Sequence, residues 1–390
     1  MKTSLVKFKN RYGEKLAGVL HQPIKKSTGG VILCHGMQGG KDFNFIPQLG
    51  YQLARSGLWA LRFDFGGNMQ SDGRFQDLTY TKQINETIDA VKYLRTRGVR
   101  RVAVIGHSMG GAVVLLAAAK EKQFINSLIA IAPIAKLDKT HNNYFKEYLD
   151  ELKSKSTVNI PNPHGGGVYK LSKKFFNDFK NHNIFLSAKK IRVPTLIIHG
   201  SKDRWIPMDD SQQLYKYCDS EFKKINIYRG VGHNFPIGKG GQRLVRDVTE
   251  FAKYTVGRDK IPGVISIIRH KKNILLMKRS YEVFSDRGKW SMVGGFLDQK
   301  TKPDNQIYEE IKQEVGLSRK YLKIIKEIND QKIHNKKFDI NWVLTLFIID
   351  SKRTGIGLNW EHTDYCWVSP KKALQMNITK IARQLINLYL

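Results

Sequence analysis

A chain of 390 residues, 41% of them hydrophobic, holds enough apolar material for more than one buried core, so two or three domains are expected. Its 66 Lys and Arg against 34 Asp and Glu leave a formal charge of +32, spread as 42 against 20 up to residue 258 and 24 against 14 beyond it. That even spread argues against a dedicated nucleic-acid face, which would concentrate charge and interleave aromatics, and leaves anionic small molecules open as substrates. The cysteines at 34, 218 and 366 show no paired spacing, and MKTSLVKFKN lacks the apolar segment of a secretory signal. No apolar run reaches the roughly 18 residues of a membrane helix, so a cytoplasmic protein without a membrane span is expected.

In chain order, SLVKFK and KLAGVLHQP around the turn NRYG predict an opening hairpin. Strand and helix patterns then alternate: GGVILCHG, the helix FIPQLGYQLARSG, the strand LWALRFDF, the helix TKQINETIDAVKYLRTRG, RVAVIG, GGAVVLLAAAK and SLIAIAPIA. Such alternation predicts a mostly parallel sheet in a three-layer sandwich. Between SLIAIAPIA and PTLIIHG lie about 55 residues, far more than the usual connection of about 2 to 6, with helical pieces and the loop NIPNPHGGG. This insertion, about 136–190, reads as a helical lid, with Phe145, Tyr148, Tyr169, Phe175 and Phe176 as expected walls of an acyl or aryl pocket.

Gly106-His107-Ser108-Met109-Gly110 joins a buried-strand pattern to a small-residue helix. A serine on that turn exposes its hydroxyl, and the helix N-terminus offers N–H groups to a developing oxyanion. A serine hydroxyl needs a base to take its proton and an acid to orient the base. Asp203 follows the strand pattern PTLIIHG, and His233 follows KINIYRG on the loop Gly230-Val231-Gly232, in the order Ser, Asp, His. Asp209 and Asp210 fit the start of a helix better than the triad acid. His35 and His107 read as turn residues and His199 as a core histidine. Cys34-His35-Gly36-Met37 ends an early strand, so the Met37 and Met109 amides would form the oxyanion hole.

HGMQGGKDF, RFDFGGNMQSDGRF, GHSMGG, HGSKDRWIP and GVGHNF together resemble the α/β-hydrolase superfamily, within it the feruloyl and cinnamoyl esterases and monoglyceride-lipase-like serine hydrolases, over roughly residues 4–255. The resemblance implies a carboxylic ester, thioester or small-amide hydrolase that needs no cofactor, with Ser108, Asp203 and His233 as triad and Met37 and Met109 as oxyanion donors. Gly66-Gly67-Asn68 departs from the G-H-G loop of relatives, and this segment is expected to shape the pocket wall.

The sheet pattern ends in a helix reaching about Lys253, so residues 1–256 are read as the first domain and 257–262 as a linker. From 263 to 390 a second unit begins with GVISIIR, HKKN and ILLMKRS, then a glycine turn and a helix that Pro303 can begin and Gly316 can end. Glu310 and Glu314 lie four apart on one face of that helix, where both could reach one hard cation. This region resembles the Nudix hydrolases, signature G-x5-E-x7-R-E-U-x-E-E-x-G-U, at Gly295, Glu310, Ile311, Glu314, Gly316 and Leu317, with Trp367-Val368 and the acid Glu361 downstream. Thr301, Glu309 and Gln313 stand where the signature has Glu, Arg and Glu. The resemblance implies a smaller α/β/α domain, Mg²⁺ at Glu310 and Glu314 with Gln313 and Glu361 as further candidates, and a nucleoside diphosphate derivative that is either bound or hydrolysed by a second, pyrophosphohydrolase activity. An amide brings no charge, so a weakened cation site is expected. The alternative reading is a nucleotide-sensing or regulatory protein in which the hydrolase is ancillary.

Overall fold

A computed structural model describes the chain except residues 26, 164, 166, 221, 258–259, 282, 284–285, 298–300 and 336–339. It separates into two compact units, Met1–Arg258 and Asp259–Leu390.

The first unit opens with a hairpin, β1 (Lys2–Lys9) and β2 (Lys15–Gln22), closed by the Asn10–Gly13 turn. It continues through β3 (Gly29–Cys34), α1 (Ile46–Arg55), β4 (Trp59–Phe63), α2 (Tyr80–Arg95), β5 (Arg101–His107), α3 (Met109–Lys120) and β6 (Ser127–Ile131). After the lid come β9 (Thr195–Gly200), α8 (Met208–Tyr217), β10 (Lys223–Tyr228) and α9 (Gln242–Thr255). Among the described residues these strands form one sheet in the order β1-β2-β4-β3-β5-β6-β9-β10, parallel from β4 onward.

The side-chain alternation of a strand sends its residues to two faces, and both faces here are covered. Ile32, Val102 and Val104 pack with α2 and α3 on one side, through residues such as Ile84, Val91 and Val113. Val31, Leu33, Ala103 and Ile105 pack with α1 and α9 on the other, through Leu49, Leu53, Leu244 and Val248. The strands therefore read as continuous apolar runs. Helix α3 is apolar all round because the β sheet, α2 and the lid enclose it, and all of Met109–Ala118 is buried.

The lid holds a hairpin where helical pieces joined by the loop NIPNPHGGG are expected. It contains α4 (Leu137–Tyr144), α5 (Glu151–Ser154), the antiparallel hairpin β7 (Thr157–Pro161) and β8 (Val168–Ser172), α6 (Lys173–Phe179) and α7 (Ile184–Ala188). Alternation in TVNIP turns Val158 and Ile160 inward while Asn159 and Pro161 face outward, the period of a strand, and Leu171 of the partner strand is buried beside them.

The second unit holds β11 (Lys260–His270), β12 (Asn273–Arg279), β13 (Trp290–Ser291), β14 (Gly294–Phe296), α10 (Pro303–Val315), β15 (Leu322–Asn335), β16 (Ile340–Ser351), β17 (His362–Val368), α11 (Pro370–Gln375) and α12 (Lys380–Tyr389). Its sheet runs β13-β12-β11-β16-β15, with β14 on β11 and β17 on β12, and β11 and β16 pair in parallel. Helix α10 packs Ile307, Ile311 and Val315 on one face of this sheet, and α12 packs Ala382, Leu385 and Ile386 on the other. Strand β11 already runs through Pro262 and Gly263, which sequence alone had placed in a linker and at a domain start. Pairing with β16 overrides the turn preference of a Pro-Gly dipeptide.

Candidate active site

Ser108 sits between β5 and α3 at φ 57° and ψ −120°, a strained backbone for a residue with a side chain. The turn is this tight because glycines flank it. A Cβ at Gly106 would drive into the Gly110 backbone, and one at Gly110 into the carbonyls of Cys34 and His35. The strain is held by packing and by Ser108 N–H donating to the Ile131 carbonyl at 2.9 Å.

The loops after β9 and β10 bring two distant side chains to this turn. His233 Nε2 lies 2.9 Å from Ser108 Oγ, and His233 Nδ1 lies 2.7 Å from Asp203 Oδ2. With Nδ1–H donating to the carboxylate, the Nε2 lone pair faces the serine hydroxyl and can accept its proton. Asp203 is itself anchored: Oδ1 accepts from the Trp205 and Ile206 N–H groups at 2.9 Å each, and its side chain is 0% exposed. Burial alone would raise its pKa, but hydrogen bonds from His199, His233 and the Ile206 amide outweigh burial and hold the carboxyl well below the usual carboxylate range.

Three histidines read from sequence as structural are all buried around these residues. His199 accepts from the Ser211 hydroxyl at Nδ1 and donates from Nε2 to the Ile206 carbonyl, with Asp203 Oδ2 a further 3.3 Å contact, so it is a core histidine that also orients the acid. His107 donates from Nε2 to the His233 backbone carbonyl at 3.0 Å; burial, then the neighbouring His233, pushes its pKa down to about 3 and keeps it neutral. His35 donates from Nδ1 to Gly36 O and accepts the Phe65 N–H at Nε2, fastening the loop that carries Met37. The signal for His199 was present in its place four residues before Asp203; nothing local marked His107.

Met37, Gln38, Phe43, Ile134, Tyr144 and Trp205 help Ser108, Asp203 and His233 line a cavity of about 860 Å³. Met109 opens α3 directly behind the serine and is fully buried. The expected pocket aromatics do not line this cavity. Phe145, Phe175 and Phe176 are buried in the lid's own core with Phe179, ring against ring, Tyr148 packs against that core, and Tyr169 stacks on Phe75 at 4.2 Å. An insertion this size must bury its own apolar surface before it can offer any to a ligand; of its aromatics Tyr144, 46% exposed, reaches the cavity, where Trp205, 63% exposed, and Phe43 join it from outside the lid. Gly66-Gly67-Asn68 does not reach the cavity either. Gly66 N–H donates to the buried Glu86, and the Lys41–Asp64 ion pair at 2.8 Å ties the neighbouring segments together.

In the second unit, α10 presents Glu310 and Glu314 beside Gly294 and Gly295 of β14, where a Cβ at Gly295 would run into the Glu310 carboxylate. Burial and the charge of Glu361 push Glu310 up, and burial, Glu361 and Glu310 push Glu314 well above the usual carboxylate range. Gln313 is exposed. His362 Nε2, buried and without a hydrogen bond, lies 3.7 Å from Glu314 Oε2. Among the described residues, however, no three His, Cys, Asp or Glu side chains stand together as a cation would need. Among the described residues the donor set does not complete a Mg²⁺ centre, in keeping with the departures at Thr301, Glu309 and Gln313.

A parallel sheet with a serine on a strained strand-to-helix turn, and with the acid and the base on loops after two later strands, defines an α/β hydrolase. The family model "Serine aminopeptidase, S33" matches residues 25–175 and 171–237, more than half of the chain, and the NUDIX domain model matches 259–389. The chain belongs to this S33 α/β-hydrolase family and carries a NUDIX domain after it. It is 27% identical over 222 residues to the human mitochondrial palmitoyl-protein thioesterase ABHD10, covering 55% of this chain and 68% of that protein. It is also 27% identical over 242 residues to esterase EstD of Thermotoga maritima, covering 56% of this chain and 58% of EstD. The structure of Est1E from Butyrivibrio proteoclasticus with ferulic acid bound superposes with a TM-score of 0.54 at 24% identity, over 63% of this chain and 97% of Est1E, a likeness of fold. Among the described residues no helix is long and apolar enough to cross a membrane.

Proposed function

We propose that residues 1–256 hydrolyse carboxylic esters or thioesters through Ser108, His233 and Asp203. Ser108 Oγ attacks the carbonyl carbon while His233 Nε2 takes its proton, and the tetrahedral oxyanion turns toward the Met37 and Met109 N–H groups, each such donor contributing ~2.7–4 kcal/mol. The imidazolium then gives that proton to the departing alcohol or thiol. Water, deprotonated by the same imidazole, releases the acid and restores the serine. Asp203 holds the imidazole in the tautomer that can accept. The observation that carries this reading is the continuous chain from Ser108 Oγ through His233 to Asp203, at 2.9 and 2.7 Å, in the wall of a cavity. The names of the esterase and thioesterase relatives support it.

For residues 263–390 we propose binding of a nucleoside diphosphate derivative. The NUDIX match supports it, and the incomplete carboxylate set weighs toward binding over cleavage. Hydrolysis of p-nitrophenyl butyrate by wild type and Ser108→Ala tests the first assignment, together with fluorophosphonate labelling mapped by mass spectrometry. Loss of activity and of label in the variant is expected; equal rates in both would remove the ester-hydrolase reading. Calorimetric titration with ADP-ribose, with and without Mg²⁺, tests the second, and absence of binding across a nucleotide panel would remove it.

A further inference from the structure

One wall of the cavity beside Ser108 is unlike an alkyl-chain tunnel. Lys136, Lys139, Thr140, Asn143 and Tyr144 all line it, and they recur at the three- and four-residue spacing that shares one face of α4 and its N-cap. The helix turns its apolar side to the lid core through Leu137, 4% exposed, and its polar side to the ligand space.

The lining side chains Lys136, Lys139 and Arg204 outnumber the lining carboxylates Asp203 and Asp210 by one charge, and Asp209 adds a carboxylate 3.9 Å from Lys136 Nζ. Asp203 is engaged by His233 and His199. Asp210, the other acid lining the cavity, is 1% exposed, and neither of its oxygens has a hydrogen bond; Lys136 Nζ stands 3.2 Å from Oδ1. A buried carboxylate of that kind fixes its cation in place. Lys139 and Arg204, which also line the cavity, make no ion pair among the described residues. Two exposed cations, Lys139 and Arg204, and one lysine held by Asp210 therefore face the space next to the nucleophile, against the one further carboxylate of Asp203, with Trp205 and Tyr144 at 5.6 Å from each other beside them.

We propose that the substrate is a short ester or thioester bearing an anionic group, carboxylate or phosphate, which seats against Lys136, Lys139 and Arg204. This rests on the ester-hydrolase reading and names its substrate class. The charge discriminates between substrates because the serine chemistry is indifferent to it, whereas long alkyl chains would have to desolvate these cations without replacing their water.

Two matched pairs test it on the full chain: monomethyl glutarate against methyl valerate by pH-stat, and butyryl-coenzyme A against butyryl-N-acetylcysteamine by thiol release. In wild type, kcat/KM is expected to favour the anionic member of one pair by about tenfold at low ionic strength, falling as salt is added. A preference in the glutarate pair places the anion on the acyl side; one in the coenzyme A pair alone makes it a phosphate on the leaving side. Lys139→Glu, at an exposed position, should lower the anionic-to-neutral ratio about tenfold, and Arg204→Glu should act in the same direction. Ratios near one in both pairs with wild type turning over, or a preference that neither salt nor Lys139→Glu reduces, would overturn the proposal while leaving ester hydrolysis standing. No turnover of any of the four substrates, together with equal p-nitrophenyl butyrate rates in wild type and Ser108→Ala, would instead remove the ester-hydrolase reading beneath it.

Discussion

Asp203→Asn changes one atom and should disable the proposed base. Asp203 Oδ1 accepts two backbone N–H groups, from Trp205 and Ile206 at 2.9 Å, so the asparagine must keep its carbonyl oxygen there and turn its amide nitrogen toward His233. That nitrogen donates to His233 Nδ1, which moves the imidazole proton to Nε2, where it faces Ser108 Oγ at 2.9 Å as a donor. The serine then has no acceptor for its proton. A wrong-tautomer imidazole costs on the order of 10⁴ in kcat, ~5 kcal/mol of barrier. The Nε2–H of His199 keeps the Ile206 carbonyl as its acceptor and loses only its secondary 3.3 Å contact with the carboxylate, so stability should fall by no more than about 1 kcal/mol. Steady-state hydrolysis of p-nitrophenyl butyrate at pH 7, with thermal unfolding of the same samples, measures both effects. A variant folded at the assay temperature that retains activity within about tenfold of wild type would refute the assignment of Asp203 as the orienting acid.

The remaining expectations concern the frame around the site. Phe175→Ala empties a fully buried position in the lid core and should cost ~3–5 kcal/mol in chemical denaturation, while Trp205→Ala, at an exposed position in the cavity wall, should change KM with little effect on the unfolding midpoint. Gly106→Ala cannot be accommodated against the Gly110 backbone, so either soluble protein or fluorophosphonate labelling of Ser108 should be lost. Glu86 has its pKa raised to about 7, chiefly by burial, above the value near 4.5 expected when unfolded. Its contribution is therefore complete below about pH 4.5 and lost as pH rises through 7, roughly 3 kcal/mol in all. Urea denaturation at pH 5 and 8 should show that fall in wild type and a smaller one in Glu86→Gln.

Much of this protein is local and was therefore readable in its sequence. The run RVAVIG followed by GHSMGG can be little other than a buried strand turning sharply into a helix, because the glycines at 106 and 110 leave no Cβ where backbones meet. The continuous apolar strands imply a sheet covered on both faces, and the order Ser108, Asp203, His233 follows from loops that leave successive strand ends. Residues whose role depends on what arrives from elsewhere in the chain were not readable in this way. Phe145 and Phe175 look the same in sequence whether they line a pocket or fill a lid. The hairpin β7–β8 hid in a stretch rich in glycine, proline and asparagine. Pro262-Gly263 has the composition of a linker, yet β16 supplies it with a partner strand.

The sequence by itself determined which side chains are candidates for the proposed chemistry and in what order they emerge, since strand periodicity, turn glycines and residue type are properties of short segments. The tertiary structure decided the distances and the surroundings. It brought His233 within 2.9 Å of a serine 125 residues away and set His107 beneath the histidine loop. It buried Asp210 against Lys136, and it left two glutamates of the second unit without the further ligands a cation would need among the described residues. Burial and convergence are fixed by packing between segments remote in the chain, and no local pattern encodes them.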